Sequence, residues 1–268
     1  MTSLGWIAVN GFRESVRDKV LYNLVAFAVL LMGSSLVLGQ LTAGQDLKII
    51  KDLGLSAMSV FGLFIAVFIG IGLVFKEVER RSIYNLLSKP IRRYEVVVGK
   101  YAGLVLTLTI NIVIMTVALY AVLAYVAWGQ NEFARQAREA PALDPALLKA
   151  IALLLVQLMI VTAIALFFST FSTPMLSAAL TFALYVVGHF SADLRNFQDV
   201  VDSPMAGRIV RGLYWVLPNL AQFDVKDLVV HGQPVPSGYV ALSVTYAALY
   251  ITVLLLVSAL IFSRRDFK

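Results

Sequence analysis

Six apolar runs decide what this chain can fold into: residues 20–38, 56–75, 98–127, 148–169, 174–190 and 238–262. A helix needs about 20 predominantly apolar residues to cross a hydrocarbon core, and these runs cluster around that length, the fifth being short and the third long. Strands of a membrane barrel alternate apolar and polar residues with a period of two; these runs do not, so they predict helices. A soluble domain carries about 25% charged residues, whereas this one has 14% charged and 60% hydrophobic residues, with a mean hydropathy of +0.84. The expectation is an all-α membrane protein with six transmembrane helices, forming a single transmembrane domain over 1–268 with no large soluble domain attached.

Lys and Arg set the orientation, because they concentrate on the cytoplasmic side. With the N-terminus inside, the cytoplasmic parts are 1–19, 76–97 with Lys100, the turn 170–173, and 263–268. They hold 13 of the 22 Lys+Arg and 6 of the 16 Asp+Glu, a net +7, which leaves −1 outside. The chain is therefore N-in and C-in. A basic face beside a bilayer meets anionic lipid, so the charge calls for no nucleic acid. The first 19 residues are mixed in charge, and no small-residue cleavage pattern follows the first apolar run, unlike a signal peptide.

Three stretches do more than cross the membrane. In 1–19, Trp6, Val9, Phe12, Val16 and Val20 recur at helical spacing, with Arg13, Glu14, Arg17, Asp18 and Lys19 elsewhere on the wheel. This predicts an interfacial amphipathic helix whose Trp6, Phe12, Arg13 and Arg17 lie at headgroup level. In 76–97, Ile83, Leu86 and Leu87 share one helical face, flanked by Glu77, Glu79, Arg80, Arg81 and Lys89, and Pro90 stops the helix. Residues 191–237 are half apolar without a run long enough to span, and predict short helices on the outer face. Smaller signals are the turn 169–174, which makes spans four and five an antiparallel hairpin with Pro174 in a first-turn position. Gly62, Gly70, Gly72 and the Gly99/Gly103 pair are small residues that permit close helix approach.

No catalytic constellation is visible. The sequence has no HExxH, no G-x-S-x-G and no G-x-x-x-x-G-K-[ST], and no Asp or Glu falls at mid-depth in a span. It has no cysteine and only two histidines, His189 and His231. The reading is therefore not an enzyme, with no catalytic, cofactor or metal residue in this chain. The polar residues inside the spans, Thr107, Thr109, Asn111, Gln157, Thr162 and Tyr185, are expected to be interhelical hydrogen-bond partners, and His189 a satisfied interfacial histidine.

In order along the chain, four pieces carry a resemblance: FRESVRDKVLYN (12–23), EVERRSIYNLLSKPIRRYEVVVGKYAG (77–103), LPNLAQFD (217–224) and the terminal FSRRDFK. Together with the six-span plan, the chain resembles the membrane (permease) subunit of an ATP-binding-cassette exporter of the second type, the ABC-2 family. The resemblance implies a permease paired with a second copy or close relative, above two copies of a separate ATPase subunit that bind ATP and Mg. It implies that 77–89 is the coupling helix, with Ile83, Leu86 and Leu87 buried in the ATPase and Glu77, Glu79, Arg80, Arg81 and Lys89 matching its charge. It further implies a lid over the path from 191–237, a bacterial inner-membrane location, and a lipidic, amphipathic or otherwise undetermined substrate. Two alternatives stand beside it. A non-transporting scaffold would recruit a cytoplasmic partner through the same segment. A secondary carrier is disfavoured by the missing mid-membrane carboxylates.

Overall fold

The computed structural model describes residues 3–40, 46–79, 93–128, 141, 143–190 and 217–264. Among them every regular element is helical: α1 (Ser3–Val16), α2 (Lys19–Gln40), α3 (Asp46–Glu79), α4 (Arg93–Trp128), α5 (Ala146–Ser169), α6 (Pro174–His189), a 3₁₀ turn (Ala221–Phe223), α7 (Lys226–Val230) and α8 (Ser237–Arg264). Five helices, α2, α3, α4, α5 and α8, are long and apolar enough to cross a membrane, and α6 is a shorter apolar helix. The six expected runs thus appear as five full-length helices and one short one.

Position in the bundle follows from how apolarity is distributed. α5 is apolar all round, and a helix of that kind belongs at the centre of a bundle; Leu153, Leu154, Leu158, Ile160, Val161 and Ile164 are all buried. It packs against α3, α4, α6 and α8. α3 is the other well-covered span, whereas α2 and α8 leave most of their surface uncovered by the chain. Gly62 and Gly70 bring α3 close to α5: a Cβ would stand 2.5 Å from Leu158 Cδ1 at the first and 3.3 Å from Ala165 Cβ at the second. Phe182 of α6 meets Phe64 and Phe68 of α3 edge-on, at ring-centre distances of 5.6 and 6.3 Å.

Two helices outrun the expected spans. α3 has 34 residues, about 51 Å at 1.5 Å per residue, and a hydrocarbon core is about 30 Å thick. α4 has 36 residues, about 54 Å. Between the apolar runs 20–38 and 56–75, the polar stretch 40–55 reads as an outside segment, yet helix begins at Asp46. Its apolar residues Leu47, Ile50 and Leu55 share a buried face, so packing extends the helix past the apolar run. Lys51, 1% exposed, is accommodated there by donating from Nζ to the Pro141 carbonyl at 2.9 Å.

The polar residues in the spans correct the sequence expectation. Thr107, Thr109 and Thr162 donate to the carbonyls of Gly103, Val105 and Leu158, and Asn111 Nδ2 donates to Thr107 O, all four residues back in their own helices. A short side chain reaches its own i−4 carbonyl without needing a neighbouring helix. Of the six residues named from the sequence, Gln157 and Tyr185 reach across to other helices, and Tyr101 of α4 also does so, donating to Met159 O of α5 at 3.2 Å. The α5–α6 hairpin is as expected: Thr170 N and Phe171 N close onto Phe167 O and Phe168 O, and Pro174 opens α6.

Candidate functional site

Side-chain ties sort the helix ends into two levels. Lys51 near the start of α3 bonds Pro141, just before α5. Lys149 near the start of α5 donates to Val235 O, just before α8, at 2.9 Å. Tyr120 in the last third of α4 donates to Asp144 O at 3.1 Å. The starts of α3, α5 and α8 and the end of α4 therefore lie together, at the end that the charge pattern assigns to the outside. α1, the end of α3 and the start of α4 belong to the opposite end.

At that inner end α1 docks on α4. A Cβ on Gly103 would stand 2.6 Å from Ala8 O and 3.2 Å from Phe12 N, so the two backbones meet where only a glycine fits. The docked face of α1 is its small-residue side: Gly11 is buried, and Ser15, 3% exposed, turns its hydroxyl back onto Gly11 O at 2.9 Å. Trp6 is 63% exposed, Phe12 is half-buried, and Arg13 and Arg17 are exposed. The apolar and basic sides named from the sequence thus face outwards, free to meet a leaflet, while the packing face is a set of small residues that hydrophobic patterning does not register. α1 passes to α2 through Arg17 and Asp18 alone. Arg17 N and Asp18 N bond Glu14 O and Ser15 O, and Asp18 Oδ1 accepts from Val20 N at 3.1 Å, an N-cap. Lys100, assigned by sequence to the cytoplasmic side, has its side chain buried beside this dock in sequence.

Of the expected coupling residues, Glu77 and Glu79 fall in the last turn of α3 and open no separate helix. Arg80, Arg81, Ile83, Leu86, Leu87 and Lys89 lie outside the described residues. The segment they occupy joins the inner ends of α3 and α4.

The outer end is capped. α6 has 16 residues, about 24 Å, too short for a full crossing. His189, its last residue, sits level with Gln157, which is 11 residues (about 17 Å) into α5 from Ala146. Above that level the chain returns as 217–236. Leu220 N donates to Gly188 O at 3.0 Å, and a Cβ on Gly188 would stand 2.9 Å from both Pro218 O and Leu220 Cδ1. Leu220, Phe223, Val225, Val229 and Val230 are buried, and Asn219 N and Gln222 O bond the hydroxyls of Tyr246 and Tyr239 on α8. Of the expected lid 191–237, the described part is thus seated on its own subunit; 191–216 lies outside the described residues.

Beneath the cap lies a polar seam. Gln157 Nε2 is 2.8 Å from His189 Nε2, and His189 Nδ1 is 2.9 Å from Tyr185 O. A carbonyl only accepts, so in the neutral imidazole Nδ1 carries the proton and Gln157 donates to Nε2. Ser59 and Tyr185 hydroxyls stand 3.5 Å apart, at the limit of a hydrogen bond. His189 is satisfied, as the sequence suggested; Ser59, Lys51, Lys149 and the docking role of Gly188 carry no sequence signal, and Gly103 carries only its spacing from Gly99.

Residues 5–267 match the family model described as ABC-2 family transporter protein. The chain belongs to that family. No curated protein matches it. As an ABC-2 chain it is a multi-pass membrane protein and a permease component of an ABC transporter, the part that works with an ABC ATPase subunit.

Proposed function

We propose that this ABC-2 permease is driven by two copies of a separate ATPase, which bind the ATP and Mg, and that it exports a lipidic or amphipathic substrate between two copies of itself in a bacterial inner membrane. The segment 76–97 is the coupling element, with Ile83, Leu86 and Leu87 as its buried face and Glu77, Glu79, Arg80, Arg81 and Lys89 setting register. The observation that carries this reading is the placement of that segment between α3 and α4. Both helices are longer than the membrane is thick, and both pack on the central α5. A push at 76–97 is therefore delivered to the core of the bundle through continuous helix. The substrate class follows from spans whose hydroxyls and amides largely satisfy themselves, leaving an apolar surface.

The test is affinity purification from the native membrane in mild detergent, followed by a vanadate-sensitive ATPase assay. A co-purifying ATPase, lost with Leu86→Asp or with Arg80→Glu and Arg81→Glu together while the spans stay folded, supports the assignment. A fully active complex from those variants sinks it. A captured partner without ATPase stimulation favours the scaffold instead, since a scaffold needs the same segment but no motion.

A further inference from the structure

We propose that α1 is a crank that transfers displacement of the inner end of α4 to α2, with Gly103 as its positioning residue. The inference rests on the coupling role of 76–97 only for where the displacement starts.

Three features carry it. The contact at Gly103 is backbone against backbone, with Ala8 O and Phe12 N inside the space of an absent side chain. Such a contact has no flexible side chain to absorb motion, unlike an ordinary interface of long side chains. The joint between α1 and α2 is two residues long and closed by hydrogen bonds from Arg17 N, Asp18 N and Val20 N. A joint so short and so fully bonded changes direction without adding slack. Finally, among the described residues α2 packs chiefly on α3 and α4 and leaves most of its surface uncovered, with Phe27 61%, Leu30 68% and Val37 64% exposed. With α8 it is one of the two spans least covered by the rest of the bundle, and it is the one joined directly to α1, so it is placed to follow a pull. α3 also touches α2, so a direct drive from α3 is the rival route, and it predicts a different outcome.

The chain has no cysteine, so spin labels can be placed without background. Exposed positions serve: Arg13→Cys on α1, Phe27→Cys on α2, Leu106→Cys on α4 and Leu256→Cys on α8. Distances are measured in lipid nanodiscs for the complex with its ATPase, nucleotide-free and trapped with ATP and vanadate. The 13–106 distance is expected to stay within about 2 Å between the states, the scale of a helix shift. The 27–256 and 106–256 distances both change. In Gly103→Leu the 27–256 change is lost while the 106–256 change remains. A 27–256 change that survives in Gly103→Leu overturns the crank in favour of α3, and a 13–106 distance that moves with nucleotide overturns the dock.

A second measurement needs no ATPase and separates failure of this inference from failure of the coupling assignment. Amide exchange of the chain alone in nanodiscs should rise about tenfold across 3–16 in Gly103→Leu, and by less in the milder Gly103→Ala. Unchanged exchange in both variants overturns the proposal, whatever partner the chain has.

Discussion

Substituting Gly188 by alanine should loosen the outer cap without unfolding the bundle. The new Cβ lands 2.9 Å from Pro218 O and from Leu220 Cδ1 and Cγ. Ordinary contact begins near 3.5 Å, so the cap must retreat by roughly half an ångström. The leucine terminus can rotate; the Pro218 carbonyl, part of the backbone, cannot. That retreat strains the Leu220 N to Gly188 O bond, now 3.0 Å. Overpacking a well-filled site costs about 1–3 kcal/mol; losing the net value of one hydrogen bond, about 0.5–1.5 kcal/mol, falls within the same range. A cost of 1–3 kcal/mol raises the population of the detached cap by about 5- to 150-fold. Hydrogen exchange reads this directly at Leu220, Phe223, Asp224 and Val229, whose amides are all bonded in the cap. Faster exchange there, with α5 amides unchanged, is the expected result. Unchanged exchange at these four, or an equal rise throughout α5, would refute the account of Gly188 as a local dock.

Other perturbations follow from the same geometry. Gln157→Leu strands His189 Nε2 inside the seam and should lower stability by about 1–3 kcal/mol, read as a fall in thermal midpoint; His189→Phe made in addition should recover part of it. Tyr185→Phe should cost under about 0.5 kcal/mol, because the Ser59 contact is 3.5 Å long. Lys149→Met removes the tie to Val235 O and should speed exchange at the start of α8 while leaving α1 unaffected. Single cysteines at Arg13 and at the exposed His231 should be modified by a membrane-impermeant thiol reagent from opposite sides; labelling of both from one side contradicts the N-in arrangement.

Much of the fold was legible because a bilayer punishes unsatisfied polarity, and so writes its spans into composition. The runs at 20–38, 148–169 and 238–262 matched their helices within a few residues. The start of α3 was not legible: Asp46, Lys48, Lys51 and Asp52 have the polarity of a solvent-facing stretch, and the acceptor that accommodates Lys51 is Pro141, 90 residues along the chain. Thr107 and Thr109 in α4 looked like bridges between helices, yet each has an acceptor one turn back. At the inner end, Trp6, Phe12, Arg13 and Arg17 announced an amphipathic helix, whereas Ala8, Gly11 and Ser15, the face that packs, have no hydrophobic signature. The coupling role of Ile83, Leu86, Leu87 and their charged flanks is implied by the family resemblance, in a segment mostly outside the described residues, and the ATPase experiment tests it.

The shortness of α6 reaches beyond the protein into the lipid. Its outward side carries Met175, Leu176, Val186 and Val187, with Phe190 just past its end, all exposed, and the helix spans about 24 Å, some 6 Å less than an average hydrocarbon core. Acyl chains beside it must shorten or splay to meet that length, at fractions of a kcal/mol per ångström. Where the cap over Gly188 does not fill that difference, local thinning of the bilayer is the expected response, and bilayer thickness is then a variable to which this edge of the bundle answers.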